Sequence, residues 1–194
     1  MLKPTRKAPA RVSRPRRFVI VASKYNARFV DAMLRAARRV LGESKAAEVL
    51  VVRVPGAFEI PVVAAKLASG GAGRFSAVIC LGVILRGQTT HAQFIGESVT
   101  AALAQIQIEH LIPIIHEVLL LENEQQAKAR CLTPTHNRGA EAAHTALEMA
   151  ETMQRLTTDY LRREAALGSR ADFERILNKV PAGPPEPYDE LPKA

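Results

Sequence analysis

The chain predicts an α/β fold built on a parallel sheet. Four short apolar runs alternate with segments of helical periodicity. The runs are continuously apolar rather than alternating in polarity, the mark of strands buried on both faces. Each run gives way to a polar or glycine-bearing loop, and ligands of such sheets bind outside the C-terminal ends of the strands. Right-handed crossovers between the strands are expected.

Phe18-Val-Ile-Val-Ala22 reads as the first strand, with Ser23 placed to cap the first helix. Phe29, Val30, Met33, Leu34, Ala37 and Val40 recur at helical spacing, and Gly42 ends that element. Val49–Val54 is the second strand and Pro55-Gly56 a turn. Phe58, Ile60, Val62, Val63, Leu67 and Ala68 suit a second helix, stopped by Gly70-Gly71. Ala77–Leu85 is the third strand, and residues 92–110 form the third helix. Ile112–Leu121 is the fourth strand, its proline near the start where a missing N–H matters least. Asn123 caps a short helix to about Arg130, and the loop Cys131–Asn137 precedes a helix from about Gly139 to Leu156. Leu161 to Val180 predicts a further amphipathic helix broken at Gly168-Ser169, with a proline-rich tail after it. No internal repeat is visible.

With 194 residues the chain suits one domain plus tails. The domains expected are a basic disordered arm over 1–17, a core over 18–156, and a helical, Pro-rich extension over 157–194. The net charge of +8 is concentrated in the arm, where Lys3, Arg6, Lys7, Arg11, Arg14, Arg16 and Arg17 stand without an acid. The rest of the chain is nearly neutral, so the charge does not argue for a nucleic-acid-binding fold. The arm reads either as a solvated segment or as a contact for a polyanion, so nucleic acid is expected to bind weakly there if at all. Its Arg-rich, acid-free composition also resembles an organelle transit peptide, without the amphipathic helical pattern. No apolar run is long enough for a membrane span, and the N-terminus has no apolar signal region. Cys80 and Cys131 lack metal-ligand spacing and read as reduced thiols, so the expected location is cytoplasmic and no metal site is expected.

The most informative stretch is the third strand with its sequel, Arg86-Gly-Gln-Thr-Thr-His91. A strand that gives way to glycine, threonines and a helix start makes an anion site. The helix N-terminus supplies unpaired N–H groups and the positive end of a dipole. Gly87 lets a ligand approach the backbone, Thr89 and Thr90 can cap or donate hydroxyls, and His91 stands in the first turn as a proton carrier. An enzyme acting on a small phosphorylated molecule is implied. A lone His at a helix start is otherwise a surface or cap residue. A second unusual stretch, Val54-Pro-Gly-Ala-Phe-Glu-Ile-Pro61, brackets Ala57, Phe58 and Glu59 between prolines. Read plainly, it is a turn and then an acid near a helix N-terminus. Read functionally, it is a rigid loop presenting backbone groups, Phe58 and Glu59 to a polar ligand.

Taken together, these stretches resemble the lumazine synthase family of riboflavin biosynthesis. The resemblance runs through Val21-Ala-Ser-Lys-Tyr-Asn26, Val54–Pro61, Leu81–His91, Glu124-Gln-Gln-Ala127 with Arg130, Asn137-Arg-Gly-Ala-Glu-Ala-Ala143 and Ala146-Leu-Glu-Met149. It covers about residues 17–156, in order. It implies a flavodoxin-like three-layer sandwich with a four-stranded parallel sheet. It implies condensation of 5-amino-6-(D-ribitylamino)uracil with 3,4-dihydroxy-2-butanone 4-phosphate to 6,7-dimethyl-8-ribityllumazine, without metal or organic cofactor. It also implies a homo-oligomer, a pentamer or a hollow shell of sixty subunits, with sites between neighbours. Riboflavin synthase is a candidate partner.

Residue by residue, the resemblance implies that Tyr25, where the family usually has Phe, stacks on the uracil ring. Ala57, Phe58 and Glu59 line the ribityl and pyrimidine pocket, and Val83, Ile84 and Leu85 offer backbone groups to the pyrimidine edge. Gly87, Gln88 and Thr89 hold the phosphate, with Arg130 from the neighbouring subunit as a charged fork. His91 transfers protons, for which imidazole suits work near neutrality. His116 stands where the family commonly has Phe reaching onto a neighbour's pyrimidine. Its plain reading is a pairing with Glu117 or a backbone group. Arg138 replaces a common Lys and keeps its charge. His110, His136 and His144 read as helix-end or surface residues. Two rivals remain at this point: a non-catalytic paralogue that binds flavin or lumazine, and a polyanion binder working through the arm.

Overall fold

The computed structural model describes residues 16–44, 48–70 and 74–167. The basic arm before Arg16, the region after Leu167 and the helix expected to run to Val180 lie largely outside these. Four parallel strands form one sheet in the order β2-β1-β3-β4. They are β1 (Arg17–Ser23), β2 (Glu48–Val54), β3 (Ala77–Leu85) and β4 (Ile114–Leu121). The helices are α1 (Ala27–Glu43), α2 (Ile60–Ala68), α3 (His91–His110), α4 (Glu124–Ala127) and α5 (Arg138–Leu167). The α/β class, the parallel sheet and the flavodoxin-like arrangement stand as the sequence implies.

The inner strands β1 and β3 are buried along nearly their whole length, as continuous apolar runs require. The outer strands differ. β2 alternates between exposed and half-buried residues, and Leu50 and Glu48 face solvent. An edge strand has no neighbour on one side, so an apolar run there predicts burial the single chain does not deliver.

One side of the sheet packs Phe18, Ile20, Ile79 and Leu81 against Phe29, Val30 and Met33 of α1 and Ala142, Ala143 and Ala146 of α5. The other packs Val19, Val21, Val78 and Cys80 against Ile60 and Ala64 of α2 and Val99 and Leu103 of α3. The alanines of α5 leave little bulk between helices. At Gly139 a Cβ would overlap the Met33 backbone, so the start of α5 lies directly on α1.

Several boundaries correct the expectation. Ser23 does not cap α1. It is buried at the end of β1, and its hydroxyl donates to the Tyr25 carbonyl at 3.4 Å. The cap position is Asn26, held left-handed at φ 56°; asparagine tolerates that conformation better than most residues. α2 starts at Ile60 rather than Phe58, with Pro61 in its first turn where no N–H is needed. β4 starts at Ile114 rather than Ile112. Pro113 has no N–H to donate, but its carbonyl accepts from Val78 N–H at 2.9 Å.

The short helix after Asn123 does not run regularly to Arg130. Asn123 Oδ1 accepts from Gln126 N–H at 3.0 Å, one α-helical turn forms, and Lys128–Leu132 widen into a π turn. A 3₁₀ turn at Pro134–His136 comes next. Asn137 is buried yet satisfied: Nδ2 donates to the Cys131 carbonyl and Oδ1 accepts from Gly139 N–H at 2.9 Å. α5 does not stop at Leu156. It continues to Leu167, just before Gly168. Beyond Thr152, Thr157 and Thr158 turn their hydroxyls back onto the Met153 and Gln154 carbonyls.

Candidate active site

The strand order reverses direction between β1 and β3, and a crevice opens at such a switch point beyond the strands' C-terminal ends. The loops after β1, β2 and β3 meet there around a cavity of about 680 Å³, a size suited to a small molecule. From the first loop comes Tyr25, and from the second Ala57, Phe58 and Glu59. β3 and its loop bring Val83, Ile84, Leu85, Gly87 and Thr89, and α3 brings His91. Residues far apart in sequence therefore line one wall-to-wall space.

Hydrogen bonds fix these loops to one another. Asn26 Nδ2 donates to the Val83 carbonyl at 2.7 Å, tying the end of β1 to β3. Lys24 and Tyr25 N–H donate to the Val54 and Pro55 carbonyls at 2.8 and 3.0 Å, so the chain keeps pairing with β2 past the strand's end. Glu59 Oε2 accepts from Gly56 N–H at 2.8 Å, closing the Pro-Gly turn on itself. A Cβ at Gly56 would stand 2.9 Å from that same oxygen, so a side chain there would push the Glu59 carboxylate aside. One Glu59 oxygen is thereby engaged in shaping the loop.

Around Gly87 the surroundings are open, since a Cβ there would meet nothing within 4 Å. His91 begins α3, and its N–H donates to Thr89 Oγ1 at 3.4 Å. Thr90 occupies the cap position without a side-chain cap bond, and no acid stands in the first turn to compete with an anion. Among the described residues, no lysine or arginine lines the cavity. Arg86, next to Gly87, is engaged by Glu122 at 3.0 Å. Arg53 is held by Asp31 and by the Ser23 carbonyl.

Three of the expected site residues are not in this cavity. Gln88 is exposed on the loop between Gly87 and Thr89 without lining it. Arg130 is exposed on the π turn after β4, a turn that packs against α1. His116 is half-buried on β4, opposite Cys80 of β3. Its Nε2 lies 2.9 Å from Thr100 Oγ1 on α3, and its Nδ1 accepts from Val118 N–H at 3.3 Å. The plain reading of His116 is met by the backbone contact and not by Glu117. Burial lowers the pKa of His116 below the usual imidazole value.

The cavity also holds Gly56 of the Val54–Pro61 stretch, and residues that no sequence motif singles out: Ala92, Phe94, Ile95 and Ser98. A signal for the last three is present in the chain. Counted from His91, they stand three, four and seven positions on, the same face of a helix.

A separate acidic position stands out. Glu117 interrupts the apolar row Ile115, Leu119, Leu121 on the α5 side of β4. Burial pushes its carboxyl up to about 7; Arg138 and Arg130 oppose that shift and Glu141 adds to it. Burial pushes the Cys80 thiol up to about 12, and burial together with Glu117 pushes Cys131 up to about 11. Neither thiol is poised as a thiolate.

The structure defines a flavodoxin-like α/β protein with a cavity of small-molecule size at its switch point and an imidazole at the start of α3. The model of the 6,7-dimethyl-8-ribityllumazine synthase family matches residues 15–154. Proteins named 6,7-dimethyl-8-ribityllumazine synthase are similar over most of their length. That of Xanthomonas campestris pv. campestris strain B100 is 39% identical over 142 residues, 72% of this chain and 91% of the relative. That of Mycobacterium avium strain 104 is 41% identical over 142 residues, 72% of this chain and 86% of the relative. That of Kineococcus radiotolerans is 42% identical over 134 residues, 68% of this chain and 81% of the relative. The chain belongs to the lumazine synthase family, enzymes of riboflavin biosynthesis. Among the described residues, no helix is long and apolar enough to cross a membrane.

Proposed function

We propose that this chain condenses 5-amino-6-(D-ribitylamino)uracil with 3,4-dihydroxy-2-butanone 4-phosphate in the switch-point cavity, releasing phosphate and water. The observation that carries this assignment is the convergence of Tyr25, the Ala57–Glu59 loop, the Val83–Leu85 backbone, Gly87, Thr89 and His91 on one cavity. Tyr25 gives an aromatic face to the pyrimidine. The Ala57–Glu59 loop receives the ribityl chain. Gly87, Gln88 and Thr89 with the start of α3 receive the phosphate.

The uracil's 5-amino group adds to the ketone and one water leaves as the imine forms; phosphate is eliminated, the ribitylamino nitrogen attacks the remaining carbonyl, and ring closure expels a second water. Each of these steps moves a proton, and His91 sits where it can accept and return it. Holding two substrates in reacting geometry supplies a large part of the acceleration.

The phosphate dianion requires a counter-cation, and the lining of the cavity contributes none. Arg130, exposed on the π turn and outside the cavity of its own chain, would supply that cation to a neighbour. A homo-oligomer built on pentamers fits that need. Open edges at β2 and β4 support it, as do exposed apolar side chains such as Phe58, Val62, Phe94, Ile108 and Leu111. Residues 18–156 would carry the reaction, with the arm and the C-terminal extension outside it. The enzyme would work in the cytoplasm and pass its product to riboflavin synthase.

The test mixes purified protein with both substrates and follows lumazine fluorescence, with Arg130→Ala alongside. Turnover that falls at least tenfold in the variant, chiefly through KM for the butanone phosphate, is the expected result. A rate no higher than the spontaneous reaction would overturn the assignment.

A further inference from the structure

His116 is tied into its own subunit by a set of hydrogen bonds that leaves only one protonation pattern. Val118 N–H is a donor only, so Nδ1 accepts from it at 3.3 Å. A neutral ring then carries its hydrogen on Nε2, and Nε2–H donates to Thr100 Oγ1 at 2.9 Å. The Thr100 hydroxyl in turn donates to the Gly96 carbonyl at 2.8 Å, one turn back along α3. The three bonds form a directed chain with no spare donor. The tautomer is assigned by that network. At Gly96 α3 packs onto β4, with Leu120 in ordinary contact distance, 3.4 Å, of the place a Cβ would take. That approach brings Thr100 within reach of the ring. Thr100 is exposed and His116 is only half-buried, so the ring is tethered by its edge while part of it stays open to another molecule.

We propose that Thr100 is a positioning residue of the substrate site: with Val118 it occupies both nitrogens of His116, so that His116 offers a neighbouring subunit's pyrimidine a flat face instead of an acid, a base or a hydrogen-bond donor. The inference rests on the reading that His116 contacts the neighbour's substrate. It explains how a histidine works where the family commonly has phenylalanine. Both nitrogens are satisfied internally, and the aromatic face that remains is suited to stacking. Without the Thr100 hydroxyl, Nε2–H has no partner, and the ring is free to turn and direct it at the substrate or at solvent.

The experiment is a double-mutant cycle on the full chain. Thr100→Val removes the hydroxyl and keeps the shape. KM for the ribitylaminouracil is expected to rise about five- to tenfold, the loss of one hydrogen bond's worth of positioning, while kcat falls less than twofold. Thr100→Ser keeps the hydroxyl and recovers most of the loss. His116→Phe needs no tether, so adding Thr100→Val to it changes KM less than twofold. A Thr100→Val effect that persists in the His116→Phe background, or one that lowers kcat without touching KM, would overturn the proposal and mark Thr100 as a packing residue. Magic-angle-spinning ¹⁵N NMR reads the lock without turnover. The signal lost in His116→Phe should be a neutral ring protonated at Nε2, and a ring protonated at Nδ1 or a charged ring would overturn it. Wild-type protein that forms no lumazine while keeping this signature would sink the assigned reaction and leave the lock standing, so the two failures are told apart.

Discussion

Glu117→Gln should make the protein more stable at pH 8 and leave it almost unchanged at pH 4. The carboxylate sits among apolar neighbours on the α5 face of β4, opposite Leu81 of β3. Its folded-state pKa is about 7 against an ordinary 4.5, because burial outweighs the attraction of Arg138 and Arg130. Below about pH 4.5 both folded and unfolded chains hold the proton, and the group contributes nothing. Between 4.5 and 7 the folded chain keeps a proton that the unfolded chain has lost, so stability falls as pH rises through this window. Above 7 the full penalty stands. At about 1.4 kcal/mol per pKa unit the shift corresponds to roughly 3 kcal/mol. Solvent reaches part of this side chain, and screening reduces the figure to about 1–2 kcal/mol. Glutamine keeps the shape and removes the charge. Urea unfolding at fixed protein concentration, at pH 4, 6 and 8, measures the difference. The variant's advantage should grow across that series. A glutamine variant equal to or weaker than wild type at pH 8 would refute the reasoning, because the two arginines would then outweigh burial.

Gly139→Ala places a Cβ on the Met33 backbone and should cost about 3 kcal/mol or more. Gly42→Ala, with open space around it, should gain about 0.5–1 kcal/mol from helix propensity, and equal unfolding midpoints for the two would contradict the packing argument. Asn26→Gly keeps the left-handed backbone and loses the bond to Val83, at about 1 kcal/mol. Asn26→Ala adds the conformational penalty, for about 2–3 kcal/mol in all, and a smaller loss for alanine than for glycine would remove the φ argument. Gly87→Ala should fold with wild-type stability, since a Cβ meets nothing, and raise KM for the butanone phosphate about tenfold if the backbone there touches the ligand; an unchanged KM would move the phosphate elsewhere. His91→Ala should slow turnover by about a hundredfold without abolishing it, and a wild-type rate would remove His91 from proton transfer.

The fold is legible in the chain wherever local and global forces agree. β3 begins and ends where its apolar run does, because every position from Ala77 to Ile84 is buried. The strand order itself, with β1 between β2 and β3, makes the switch point, and the loops after β1, β2 and β3 line the cavity while the one after β4 does not. Boundaries shift where a single polar residue serves geometry rather than its usual habit. Ser23 is buried and bonded to Tyr25, so the capping position moves on to Asn26. The π turn at Lys128–Leu132 has no periodicity of its own, so its sequence reads as plain helix. α5 outruns its expected end because no glycine or proline stands between Gly139 and Gly168 to stop it.

The proposed site would also draw on residues outside the cavity of their own chain. Periodicity places Phe94, Ile95 and Ser98 beside His91, and that much comes from one helix. Arg130 and His116 belong to no local pattern, because neither lies in the cavity of its own chain. His116 lies on β4, which leaves one edge of the sheet unpaired, and Arg130 on the π turn that packs against α1. The cavity lacks a cation while Arg86 and Arg53 are spent on Glu122 and Asp31. Arg130 stands near Glu117 on the α1 and α5 side of the sheet, whereas the tethered ring of His116 faces α3 on the other. A contact that brought either residue to the cavity of another copy would be heterologous, and such a contact closes into a ring when the rotation per subunit divides a full turn. On the proposed assignment, catalysis would then depend on assembly, and a variant that breaks the contact would lose phosphate affinity together with the oligomer.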